Sequence, residues 1–340
     1  MRLLTIVLPS RRSLPECRFS IETTLVYAEK TDAQIIVADN SADPLKADWL
    51  QSLGPRLRRI DTVGCDAMAN LVMALEQVET PFLMPMADDD AVFLLDDIVP
   101  LDLAELAADV VAVRPQTLTW QDATGIRHIT CASIDGQGPH ERFRQYSHTN
   151  GGNNALYYSI YRSAVFAAIV KRFERHHPTR GAYGDWSMIF ALLACGKVLA
   201  DPARVYLYDF EQWSDPVRQD GAVKRLMQQA GLPENAVDYL FLLQGLDLHG
   251  LLAWDGLPLS AAVRQEALLA NAQEMYFYHF REYLASQPER FPEAVHRAMA
   301  DFDKHDQPEQ AVLACLPLIE ALKPGLGEAY RRYCNLPAQA

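Results

Sequence analysis

Between Leu3 and Val113, short unbroken apolar runs alternate with stretches of helical period, and the strongest runs stop at polar residues. Leu3–Leu8 gives way to Pro9-Ser10-Arg11, Gln34–Ala38 to Asp39-Asn40-Ser41, and Phe82–Met86 to Ala87-Asp88-Asp89-Asp90. Leu57–Ile60 is a weaker run and Asp109–Val113 a further one. Between them, Ser20–Ala28 and Asp66–Val78 read as helices; in the second, Met68, Leu71, Val72 and Leu75 share one face. A strand apolar on both faces must be covered on both faces, the condition of a parallel sheet built in β-α-β order. The predicted class is therefore α/β: a Rossmann-like mixed sheet, mainly parallel, with helices on both faces. Ligands of such sheets bind beyond the carboxyl ends of the strands. Polar groups from three separate strand ends thus converge on one edge.

The rest of the chain changes character twice. Alternation from Thr117 to Ile134 predicts an antiparallel hairpin around Gly125. Gly136–Gly152 is polar and Gly-rich and reads as a loop, with Asn150–Asn154 at its end. Ala155–Tyr161 reads as a strand, Gly181–Ala194 as a helix entered through Tyr183-Gly184-Asp185, and Val198–Tyr208 as a strand. Beyond Ser214 long helical periods take over, as in Leu268, Ala272, Met275, Tyr276, Phe280 and Tyr283. Pro233, Pro258, Pro288, Pro308 and Pro324 stand near the expected helix ends. The expected division is 1–213, a catalytic α/β domain, and 214–340, an all-α region that contacts an acceptor, a partner or a membrane surface.

Composition narrows the function classes. Apolar residues make up 49% and charged residues 22% of 340, which excludes a disordered chain. The net charge of −13 comes without a basic stripe, which argues against nucleic-acid binding. An acidic chain that binds a phosphate-rich ligand needs a metal ion or a local Arg. The six cysteines form no CxxC pair, so no zinc site or disulfide framework is expected, and buried free thiols in a reducing compartment are. The apolar run at the N-terminus stops at Pro9, short of a signal peptide, and Met188–Cys195 falls far below the ~20 residues that span a bilayer. The expected location is cytoplasmic, with peripheral contact at the inner face of a membrane left open.

Asp88-Asp89-Asp90 is the sharpest chemical feature. Three adjacent carboxylates repel one another unless solvated or neutralised by a cation. At a strand end they suit a metal–diphosphate, because Mg²⁺ and Mn²⁺ take oxygen ligands and share them with substrate phosphates. The alternative is a solvated acidic turn. Asp39 ends its strand where a carboxylate accepts from a nucleoside ring N–H or ribose hydroxyls; the alternative is an Asx turn or a helix N-cap. Asp185 is placed to cap the helix that follows. His176-His177, after a basic helix, read as solvent-facing.

Five segments in order then carry a family resemblance. LTIVLPSRR resembles a strand-Pro-Thr-Tyr-Asn-Arg start, QIIVADNSAD a strand ending in Val-Asp-Asn/Asp-Ser, and VGCDAMANLVMAL a Gly-to-Asn helix segment. FLMPMADDD resembles an apolar strand ending in Asp-x-Asp, and AYGDWSMIFALLACGK an acidic-Asp-Trp/Tyr segment. Together they resemble GT-A fold glycosyltransferases, most closely family 2, which are inverting and use nucleotide sugars. The resemblance spans about Leu3–Lys197. It implies a nucleoside diphosphate sugar donor and a glycan, lipid-linked glycan or protein acceptor. It further implies Pro9, Ser10, Arg11, Asp39, Asn70, Asp88 and Asp89 around the donor. Asp88 and Asp90 would be at an Mn²⁺ or Mg²⁺ ion, and Asp185 would be the general base. The chain departs from the family at Ser10-Arg11, at Ala69 and at Gly184, and lacks the QxxRW-type motif of processive synthases. Transfer of a single sugar is expected. The alternatives are a binding-only sensor of the same fold and, behind it, a nucleotidyltransferase.

Overall fold

The computed structural model describes residues 2–337 apart from Gly151, Asp303 and Asp306. In chain order the first part contains β1 (Leu4–Ser10), α1 (Leu14–Thr31), β2 (Gln34–Asp39), α2 (Pro44–Ser52), β3 (Leu57–Asp61), α3 (Ala67–Leu75), β4 (Phe82–Pro85) and β5 (Ala91–Leu94). There follow β6 (Val110–Gln121), β7 (Gly125–Thr130), α4 (Pro139–Thr149), β8 (Ile160–Arg162), α5 (Ser163–His176), α6 (Asp185–Cys195) and β9 (Lys197–Asp209). The C-terminal part is all helical: α7 (Pro216–Gln229), α8 (Leu240–Leu252), α9 (Ala261–Glu274), α10 (Tyr276–Ser286), α11 (Glu293–Phe302), α12 (Pro308–Leu322) and α13 (Leu326–Tyr333). The expected α/β class with a C-terminal all-α region is the observed one. No helix among the described residues is long and apolar enough to cross a membrane.

Two compact units divide the chain: 1–135 with 145–171 and 196–216, and 136–144 with 172–195 and 217–340. The first holds the sheet, in order β3-β2-β1-β4-β8-β6-β9-β5, with β7 on β6. Strands β3, β2, β1 and β4 run parallel, as their apolar runs predict. Beyond β4 the directions mix, because the short β8 pairs antiparallel with both β4 and β6. Leu4, Ile6 and Leu8 alternate with Thr5 and Val7 along β1. The first set joins Ile35, Val37, Phe82 and Met84 in a core closed by Cys17, Ile21, Tyr27 and Ala28 of α1. Helix α3 lies against β1 and β2 as well.

Several sequence expectations are corrected. Pro9 does not end the first strand: it pairs with Ala38 beyond the last β1–β4 partner, where its missing N–H costs no ladder bond. The polar segment after Gly136 is largely the helix α4, where Phe143 and Tyr146, three apart, are wholly buried; its charged residues masked that pair. Gly151 lies outside the described residues. Ala155–Tyr158 is a 3-10 turn, and only Ile160–Arg162 is strand. The short elements α2 and β5 escaped the sequence reading, since nine and four residues give too little period to read. Cys17, Cys315 and Cys334 are buried free thiols, whereas Cys131 is exposed.

In the second unit α8 is buried on almost every side, including Gln244, Asp247 and His249. His177 is buried too, contrary to its solvent-facing expectation, because it serves this helix. The N–H groups of Thr179 and Arg180 donate to its Nδ1 at 3.2 and 2.8 Å. Its proton is therefore on Nε2, which donates to Asp247 Oδ1 at 2.6 Å, beside the hydroxyl of Tyr330 at 2.8 Å. His249 has no such partner at Nε2, and burial pulls its pKa down to about 4. The unfolded chain then binds the extra proton first. The stability this neutral His contributes is complete above pH 6.5 and is lost as pH falls toward 4, about 3 kcal/mol in all. Urea midpoints at pH 7 and 4.5 should diverge less in His249→Leu than in the parent chain; equal divergence would show that His249 is not the group responsible.

Candidate functional site

Within the first unit the carboxyl ends of β1, β2 and β4 are tied into one polar cluster. Asp88 accepts at Oδ2 from Ser10 Oγ (2.8 Å) and from the N–H groups of Arg11 and Arg12 (both 3.0 Å). The turn after β1 thus wraps the first aspartate with backbone donors, a fit for a negative charge. Arg12 adds Nε to Asp88 Oδ1 at 3.2 Å and an Nη2 ion pair with Asp89. Burial alone would lower the Arg12 pKa; Asp89 and Asp88 more than reverse it.

Lys46 links this group to β2. Its Nζ donates to Ser10 Oγ (2.6 Å) and to the carbonyl of Arg12 (2.8 Å) and stands 3.3 Å from Asp39 Oδ1, with both charged side chains 0% exposed. The local sequence explains the placement. Asp43 caps α2 by accepting from Leu45 and Lys46 N–H, while its other oxygen accepts from Leu14 N–H at the start of α1. One carboxylate therefore fixes where α1 and α2 begin, and Lys46 follows it by three residues. Asp39 also accepts from Ser41 Oγ (2.6 Å) and from Arg59 Nε (2.8 Å). Burial would raise its pKa, but Ser41, Arg59 and Lys46 hold it below the ordinary carboxylate range.

Asp90 differs from its neighbours. It is 2% exposed and accepts from neutral donors: Tyr206 OH donates to Oδ2 at 2.5 Å and Asp209 N–H to Oδ1 at 2.8 Å. Burial first, then the charge of Asp89, push its carboxyl well above the ordinary range. Burial and the charge of Asp88 likewise raise Asp89, against Arg12. Tyr158 stacks on Tyr206 with centroids 5.0 Å apart and completes the apolar wall behind Asp90.

A divalent ion fits this chemistry. The donors are hard carboxylate oxygens, and a cation beside Asp90 would favour its ionised form. Among the described residues no three Asp, Glu, His or Cys side chains are grouped to hold an ion unaided.

The structure brings together Ser10, Arg11, Asp39, Asp88 and Asp89, with Asp90 behind them. Pro9 lies in the ladder beside Ala38. Asn70 is buried in α3, where its Oδ1 accepts from Thr62 Oγ1 at 2.6 Å. Asp185 belongs to the second unit. It opens α6, and its Oδ1 accepts from the N–H of Trp186 at 2.8 Å. Ser187 of the same helix donates to the carbonyl of Gln244 in α8 at 2.9 Å.

Sequence reasoning missed Lys46, Arg59 and Tyr206. Arg59 carried a signal: a charge within a strand next to one ending in Asp needs a partner. Lys46 carried none, since Leu45 beside it is exposed and the lysine buried, the reverse of what residue type suggests.

No protein-family model and no curated protein matches this chain. Among solved structures, "S. aureus TarS 1-349" is similar at 13% identity over 98% of this chain and 90% of that one, with a TM-score of 0.43. "S. aureus TarS" is similar at 12% identity over 98% of this chain and 55% of that one, TM-score 0.45. "S. aureus TarS 1-349 in complex with UDP-GlcNAc" is similar at 12% identity over 98% and 88%, TM-score 0.44.

Proposed function

We propose that this chain is a metal-dependent, inverting glycosyltransferase that moves one sugar from a nucleoside diphosphate sugar to an acceptor hydroxyl. One observation carries the reading. Ser10, Asp39 and Asp88-Asp89, from three strand ends, are joined through Lys46 and Arg12 at the edge where parallel sheets bind ligands. The backbone N–H groups of Arg11 and Arg12 and the Arg12 guanidinium supply local positive potential to an otherwise acidic chain.

Asp39 is covered by Ser41, Lys46 and Arg59, so its contact with a base or ribose runs through Arg59, 17% exposed at its side chain, or requires that group to swing aside. Asp88 and Asp90 would hold Mn²⁺ or Mg²⁺, which supplies Lewis-acid neutralisation of the leaving diphosphate when bound. Asp185 would take the proton of the acceptor hydroxyl as its oxygen bonds to the anomeric carbon. The bond from that carbon to the diphosphate breaks on the opposite side, which inverts the configuration.

A thermal-shift series with UDP and GDP, with and without Mn²⁺, tests the reading directly. Stabilisation of roughly 5 °C by one nucleotide is expected, greater with the ion than without, and abolished in Asp88→Ala. Indifference to every nucleotide would defeat the proposal. Stabilisation without sugar release from any donor is the outcome of a binding-only protein, the reading that Ala69 and Gly184 favour.

A further inference from the structure

Arg114 lies in β6, paired with Ala200 of β9. The β6–β8 ladder pairs Ala112 with Tyr161 and Val113 with Ile160, just before it in β6. The Arg114 side chain is buried at 1% exposure, and among the described residues Nε, Nη1 and Nη2 find no hydrogen-bond partner. The ionisable groups that act on Arg114 are Tyr146, Tyr161 and Cys131, with no carboxylate among them. Both phenols are turned elsewhere. Tyr146 donates to Asn154 Oδ1 at 2.8 Å, and Tyr161 to the carbonyl of Leu156.

A guanidinium does not escape such a position by losing its proton. Burial lowers its pKa, but from 12.5. An unpaired charge in a sheet interior costs far more than the packing of its stem returns, and a Leu or Met would fill the space without that cost. Three unpaired guanidinium donors are the complement of one planar or tetrahedral oxyanion. We propose that Arg114 forms a binding site for an oxyanion, a carboxylate or a phosphate. Its guanidinium takes two oxygens side by side. This site is independent of glycosyl transfer, since no residue of the Asp39–Asp88 cluster takes part in it.

The test uses the full chain with sodium phosphate or sodium glucuronate at millimolar concentration, ionic strength being held constant with chloride. One probe should raise the Tm by roughly 3–6 °C and slow alkylation of Cys131 at least twofold. The probe with the larger effect identifies the anion as phosphate or carboxylate. Arg114→Met should lose both responses while keeping or gaining stability, and Arg114→Lys should retain part of them. An equal response in Arg114→Met overturns the proposal, as does a parent chain whose Tm and Cys131 alkylation ignore both probes. The alkylation measurement on the parent chain decides the matter if Arg114→Met does not fold.

Discussion

Asp185→Asn is expected to lower kcat by about 10³-fold, within the 10²–10⁴ typical of a positioned acid–base group, while nucleoside diphosphate affinity stays within about twofold. The substitution is chosen for what it keeps. Asp185 Oδ1 accepts from the N–H of Trp186, and an amide oxygen does the same, so the first turn of α6 retains its local bond. What is lost is the ability to accept a proton at pH 7. A helix-capping role alone predicts near-normal turnover for this variant, and that result would remove Asp185 from the mechanism. Retained nucleotide binding matters equally, because it separates lost chemistry from lost fold.

Lys46→Met is expected to destabilise the chain by about 3–5 kcal/mol, the range for removing one partner of a buried ion pair. Three acceptors lose a donor at once: Asp39 Oδ1, Ser10 Oγ and the carbonyl of Arg12. Asp39 keeps Arg59 and Ser41, so its charge is not wholly abandoned, which favours the lower end of the range. Adding Asp39→Asn should recover part of the loss, since the amide removes the buried charge that Lys46 had balanced. Urea denaturation of the two single variants and the double variant measures the coupling. A loss below about 1 kcal/mol in Lys46→Met, or no coupling between the two sites, would mean that Lys46 does not hold this sheet edge together.

Much of the first unit was legible in the sequence, and the reason is local. Leu3–Leu8, Gln34–Ala38 and Phe82–Met86 have no polar face, so each had to be a strand covered on both sides, and three of them in β-α-β order had to run parallel. Their polar ends then had to share an edge, as Ser10, Asp39 and Asp88 do. Elements whose pattern was short or diluted by charge were not legible: α2, β5, and α4, where two buried aromatic residues stand among polar ones.

Residue type and order alone determined the α/β class, the helical C-terminal region and the meeting of three polar strand ends. Each of these follows from where apolar runs start and stop. Which cation answers which carboxylate was decided only by tertiary structure. Arg12 pairs with Asp88 and Asp89, and Lys46 and Arg59 pair with Asp39 across 7 and 20 residues respectively, whereas Asp90 faces a phenol. Among the described residues no carboxylate answers Arg114. Charge pairing depends on distance in space and on burial, and neither is written in the local pattern that makes a strand or a helix.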